Sequence, residues 1–247
     1  MPRFGIARGT GWVVAGQSGA GKVLRSRGGR LLRAVAATVA SAVPVALIAF
    51  AVRQEFDPII TADNAAIRAA TRFSRAHQLT SSLLTMQQVT QPVVLYPACT
   101  IGLIWVGLTK GMRGRALWAF VTMMTGWAIG GVSKVLVQRV RPVVDDPLSH
   151  SPDYSFPSGH ALNIAIAGSA MVVLVWPLLG QSGRWLAVGT ALVAGLAVGS
   201  DRILLGVHFP SDVIAGWLLG LGITATSWMG FAGMRAASSS RGPLPPA

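Results

Sequence analysis

Cysteine, charge and acidic side chains are all scarce in this chain, and each shortage closes off a class of protein. There is one cysteine in 247 residues, Cys99. No intramolecular disulfide can form, so cysteine usage carries no information about redox compartment. Cys99 sits in an apolar run and reads as a small hydrophobe. Charged residues make up only 12% of the chain, about half the share in a soluble domain. No cluster of His, Cys or carboxylates has metal-ligand spacing, so no metal and no cofactor is expected. Acids number eight against 21 Lys and Arg, a net charge of +13. No nucleic-acid-binding motif accompanies that excess, and many of the cations fall in the N-terminal stretch (Arg3, Arg8, Lys22, Arg25, Arg27, Arg30, Arg33) just before an apolar run. That placement suits an anionic membrane surface rather than a nucleic acid.

What the chain has in place of charge is hydrophobic sequence, at 52%. Six apolar runs cover 34–52, 93–108, 116–137, 161–179, 185–199 and 213–232. A helix needs about 20 such residues to cross a bilayer. Strand signals are weak, and backbone polar groups in lipid must be satisfied internally. The expected fold is therefore all-α, an integral membrane bundle of six transmembrane helices over 34–232. A flexible basic tail is expected at 1–33 and a flexible Ser/Pro/Gly-rich tail at 233–247. The first run is too long and too far along the chain for a typical signal peptide, and reads as a retained span.

With six spans both termini share one side, and that side carries the larger part of the Lys and Arg. The positive-inside rule places it in the cytoplasm of a plasma or inner membrane. Glu55, Asp57, Asp63, Asp145, Asp146, Asp153, Asp201 and Asp212 all fall on the other side, so the polar chemistry is expected to face outward. The long outer stretch from Arg53 to Pro92 is either a plain loop or, over 65–86, an interfacial amphipathic helix. Gly16–Lys22 imitates the start of a phosphate-binding P-loop. Val23 stands where that motif requires Ser or Thr, so the stretch reads as a flexible glycine-rich tail.

Three clusters lie at the outer ends of the last four spans. Lys134 and Arg141, seven residues apart, would share a helix face, with Pro142 helping to end the helix. Ser158 can cap the fourth span, Gly159 lets the backbone approach an anion closely, and His160 can donate a proton. His208 and Asp212 are four apart, so a carboxylate can fix the tautomer of an attacking imidazole. Arg202 adds a planar fork for phosphate oxygens. Singly, each cluster could be a snorkelling pair, a capped helix or a structural Asp–His contact.

Together, Lys134–Pro142, Pro157–His160 and Arg202–Asp212 resemble the three motifs of the type-2 phosphatidic acid phosphatase family, within the superfamily that includes the vanadium haloperoxidases. The resemblance covers 34–232. It implies a membrane lipid phosphatase with catalytic residues His208 (nucleophile, forming a phosphohistidine), His160 (acid) and Asp212 (orienting His208). Lys134, Arg141, Ser158, Gly159 and Arg202 would bind phosphate, and cationic clamps would take the place of a metal ion. Candidate substrates are undecaprenyl diphosphate, phosphatidic acid and phosphatidylglycerol phosphate. A lipid phosphotransferase would use the same residues, and a non-catalytic lipid-binding protein would retain the pocket without the chemistry. Asp201 departs from the family pattern, which has Ser there; it removes a hydroxyl and adds a negative charge beside Arg202. Nothing in the sequence specifies an oligomeric state.

Overall fold

A computed structural model describes residues 19–144, 149 and 152–239. Among these residues every regular element is helical: α1 Gly19–Arg53, α2 Asp57–Ala76, α3 Thr80–Val89, α4 Pro92–Thr109, α5 Arg113–Val137, α6 Gly159–Val175, α7 Gln181–Leu204 and α8 Pro210–Ser239. Six of them are long and apolar enough to cross a membrane, over Val35–Arg53, Pro92–Thr109, Arg113–Val137, Gly159–Leu178, Gln181–Leu204 and Pro210–Ala232. The chain is an integral membrane bundle, as its hydrophobic pattern indicates. Two expected tails are shorter than the sequence suggests. α1 reaches back to Gly19 and α8 runs on to Ser239, because extending an existing helix costs far less than nucleating one. Gly19–Lys22 of the P-loop-like stretch is thus helical. Residues 1–18, 145–148, 150–151 and 240–247 lie outside the described residues, and with them Arg3, Arg8, Asp145, Asp146 and His150.

Inside a bilayer there is no water for apolar side chains to escape, so helices associate through close packing of small residues. α6 is the central helix, packed against α4, α5, α7 and α8, while α1 lies against α8. On α5, Gly126 and Gly130 are four apart. A Cβ at the first would collide with Ile166 of α6 and at the second with Leu162. On α8, Gly216 and Gly220 serve the same purpose: a Cβ would stand 2.7 Å from the Ser158 carbonyl oxygen and 2.8 Å from that of Leu162. These approaches bury Leu162, Ile166, Ala170 and Leu174 against Leu103, Trp118, Ala119 and Met123. The outer surface stays apolar, for instance Val35, Val39, Val43, Leu47 and Phe50 along α1, as a lipid-facing helix requires.

The outer stretch before α4 is neither a plain loop nor one continuous helix. α2 and α3 are separated by a break at His77–Leu79, where Gln78 takes φ +52°. α2 buries Asp63, Ile67, Thr71 and Ser74 against α7 and α8, and α3 packs on α7 and α4. The up-and-down order of the spans brings the end of α5, the start of α6, the end of α7 and the start of α8 to one end of the bundle. α2 and α3 cover that end.

Candidate active site

Each candidate side chain lies at a helix end or in the connection that leaves it. α5 stops at Val137, where Gln138 adopts a left-handed conformation (φ +54°) and its N–H bonds the Lys134 carbonyl. Arg141 is therefore not on the helix face of Lys134, as the seven-residue spacing suggests. Pro142 disfavours helix at the residue before it, and residues 139–144 leave α5 without helical structure, with the Ser155 N–H donating to the Arg139 carbonyl at 2.8 Å. Lys134 and Arg141 nonetheless converge, since both reach the carboxylate of Asp153, at 2.9 and 2.5 Å. Burial pushes the Asp153 carboxyl up, but its bonds to Lys134 and Arg141 outweigh that and hold it down at about 2.

α7 ends at Leu204 and turns through Gly206 at φ +70°. A Cβ there would lie 2.8 Å from Thr71 of α2, so only glycine suits this turn. The turn delivers buried His208, and α8 starts two residues later with Asp212 in its first turn. His208 and Asp212 are brought together, with His208 Nδ1 lying 3.8 Å from Asp212 Oδ2. That is too long for a direct hydrogen bond. The Ser155 hydroxyl bridges the gap, donating to Asp212 Oδ2 at 2.5 Å and lying 3.3 Å from His208 Nδ1. On the other side of the ring, Arg141 Nη1 is 3.2 Å from His208 Nε2. A guanidinium can only donate. Nε2 must therefore accept, and the proton sits on Nδ1, where it points to Ser155. Burial lowers the His208 pKa to about 4, with the nearby Asp212 carboxylate opposing the shift and Arg141 adding to it. The ring is neutral near pH 7 with a lone pair on Nε2, the form a nucleophile needs.

His208 opens onto a cavity of about 480 Å³ whose walls include Lys134, Arg141, Arg202, Gly159 and His160. Arg202, almost wholly buried, is ion-paired with Asp201 and donates to Gln87 Oε1 at 2.9 Å. His160 Nε2 lies 3.3 Å from the Gln87 carbonyl oxygen, which can only accept, so that nitrogen carries a proton. Ser158 departs from its expected role. It occupies the N-cap position, but its hydroxyl makes no capping bond and is buried without a partner. It does not line the cavity; its backbone N–H is committed to the Asp212 carbonyl at 3.0 Å. Asp201, where the family pattern leads to the expectation of Ser, accepts a hydrogen bond from Arg202 Nη2. Among the described residues no group of three or more His, Cys, Asp or Glu is arranged to hold a metal ion.

Sequence reasoning missed Gln87, Ser155 and Asp153, all at the site. Ser155 stands two residues before Pro157, close enough to the second cluster to have been suspected. Gln87 belongs to α3 and carries no local signal.

The chain is similar to several known proteins. The family model described as the PAP2 superfamily matches residues 115–233. An undecaprenyl-diphosphatase of Sulfolobus acidocaldarius is 31% identical over 152 residues, covering 57% of this chain and 66% of that protein. Phosphatidylglycerophosphatase B of Bacillus subtilis is 34% identical over 114 residues, covering 43% of this chain and 55% of its own. The chain thus spans between 55% and 66% of the length of these two curated relatives. The crystal structure of a transmembrane PAP2-type phosphatidylglycerolphosphate phosphatase from Bacillus subtilis superposes with a TM-score of 0.67 at 26% identity, over 84% of this chain and 98% of that one.

Proposed function

Because the chain belongs to the PAP2 superfamily, we propose that it is a lipid phosphatase that removes phosphate from a lipid phosphomonoester or diphosphate through a phosphohistidine on His208. One observation carries this reading. The unprotonated Nε2 of His208 faces a cavity walled by Lys134, Arg141 and Arg202, while its Nδ1 meets the Ser155 hydroxyl, which in turn donates to Asp212. Below the cations the same cavity is lined by Pro92, Trp127 and Leu162. Pro92 and Trp127 also border an apolar groove of about 620 Å³ between α4 and α5. A headgroup among the cations with its chain in the apolar part suits a lipid better than a soluble phosphate ester.

In the first step His208 Nε2 attacks phosphorus in line as the bond to the leaving oxygen breaks, and His160, entering as the imidazolium beside the bound phosphate, gives that oxygen a proton and is left neutral. Arg141, Arg202 and Lys134 offset the charge on the non-bridging oxygens, which is where such transition states gain most stabilisation. In the second step His160 takes a proton from water, the water oxygen bonds to phosphorus, and the P–N bond returns its electrons to His208. No metal ion is needed in either step. The excess of Lys and Arg on the side of the termini supports cytoplasmic termini and a site on the outer face.

The test is phosphate release by purified protein from phosphatidic acid, phosphatidylglycerol phosphate and undecaprenyl diphosphate, in EDTA, with His208→Ala as control. Release by wild type alone is expected. Equal release by the variant would remove His208 from the mechanism, and release by neither would favour a binding protein. Activity abolished by EDTA and restored by Mg²⁺ would count against the metal-free scheme.

A further inference from the structure

Behind the dyad lies a second buried array that no motif announces. Arg139 Nη1 donates to Asp212 Oδ1 at 2.6 Å, on the carboxylate oxygen that Ser155 leaves free. Its Nη2 donates to Asp63 Oδ2 at 2.7 Å. Ser211 completes the array: it accepts from Arg139 Nη1 at 2.8 Å and donates to Asp63 Oδ2 at 2.5 Å, and its backbone N–H reaches Asp63 Oδ1 at 3.1 Å. The Arg139 guanidinium also lies 4.0 Å over the Phe209 ring. Asp63, Arg139, Ser211 and Asp212 are all buried. Asp63 belongs to α2, and 148 residues of chain separate it from Ser211.

We propose that Asp63 is a positioning residue for the reaction, acting through Arg139 on Asp212. This rests on the phosphatase reading above. Two consequences of the geometry support it. Arg139 is clamped from its far side, so it fixes the Asp212 carboxylate plane and hence the direction of His208 Nε2. Charge matters equally. Arg139 paired with Asp212 alone would be a neutral couple. With Asp63 added, the ionised array carries one net negative charge beside the imidazole. When Nε2 bonds to phosphorus and Nδ1 keeps its proton, the ring becomes cationic, and that residual negative charge stabilises it in a low-dielectric site. The contribution appears in the transition state and not in substrate binding, because neither Asp63 nor Arg139 lines the cavity.

The experiment compares Asp63→Asn, Asp63→Glu and a packing control, Ile67→Ala, whose side chain is also buried on α2. Each is assayed for kcat, KM and thermal stability in detergent, and for acid-labile phosphohistidine trapped from labelled substrate. Asp63→Asn keeps the shape and removes the charge. Its kcat is expected to fall on the order of 10- to 100-fold, with KM within about twofold of wild type and slower trapping of the phosphoenzyme. Asp63→Glu, which keeps the charge, should recover part of the loss. Ile67→Ala should lower stability with kcat per folded molecule within about twofold. Equal loss of kcat in Asp63→Asn and Ile67→Ala at matched stability, or a loss confined to KM, overturns the proposal. Wild type that traps no phosphohistidine refutes the underlying mechanism instead, so the two failures are separable.

Discussion

Replacing Ser155 with Ala isolates the bridge on which the proposed nucleophile depends. The hydroxyl stands between an imidazole and a carboxylate that are 3.8 Å apart, and makes one contact to each, at 3.3 and 2.5 Å. Alanine leaves Asp212 Oδ2 with the Phe209 N–H at 3.0 Å as its remaining hydrogen-bond donor, and leaves Nδ1–H with no oxygen in reach. A hydrogen bond to a charged group is worth about 1.5–3 kcal/mol. At about 1.4 kcal/mol per tenfold in rate, losing one such bond as the ring becomes cationic lowers kcat by about 10- to 100-fold. KM should hold within about twofold, because Ser155 is not part of the cavity wall. The assay is steady-state phosphate release from a lipid phosphate in micelles, with thermal unfolding run alongside to count folded enzyme. A kcat within about twofold of wild type would show that Asp212 orients His208 unaided and would refute the bridge. A change in KM alone would place Ser155 on the substrate instead.

Two further outcomes follow from the same geometry. The histidine pKa of about 6.5 in an unfolded chain drops to about 4 at His208 on folding, so between those values the unfolded chain holds a proton that the native one lacks. Stability is therefore withdrawn as pH falls from about 6.5 toward 4, by up to about 3 kcal/mol from this residue; His208→Gln should flatten that slope in unfolding measurements, and an identical slope in both proteins would rule out His208 as its source. Gly216→Ala places a methyl 2.7 Å from a backbone oxygen of Ser158, which cannot move without shifting the Pro157–His160 turn; a cost of about 1–3 kcal/mol, read as a lower unfolding temperature with reduced activity, is expected, and an unchanged unfolding temperature would refute the packing argument.

Hydropathy located the spans well because a bilayer demands long uninterrupted apolar helices, and the polar clusters were visible because they interrupt that pattern at helix ends. The details within each cluster were harder to read. Lys134 and Arg141 are seven apart in a helix or out of one, so spacing alone does not reveal that Gln138 breaks α5. Ser158 has the right identity and position for a cap, yet the Asp212 carbonyl takes its N–H and its hydroxyl caps nothing. Asp63 and Gln87 were invisible for a different reason. Each acts across more than 70 residues of chain, on Arg139 and His160 respectively, and helix periodicity reports only on neighbours three or four positions away.

Every residue proposed to touch phosphate sits at one end of the bundle, at or beyond a helix terminus. The opposite half of the spans, where Trp118 stacks edge-on with Trp228, holds none of them. That half must match the thickness of the surrounding hydrocarbon. Its apolar sequence is free to be lengthened, shortened or exchanged from one membrane to another, provided the glycine contacts on α6 are kept. A hybrid carrying the residue 126–220 glycines, the four helix ends, the α5–α6 connection with Arg139, Arg141, Asp153 and Ser155, and the covering helices α2 and α3, on a lower half taken from a thinner or thicker bilayer, is expected to keep the groups proposed for the reaction.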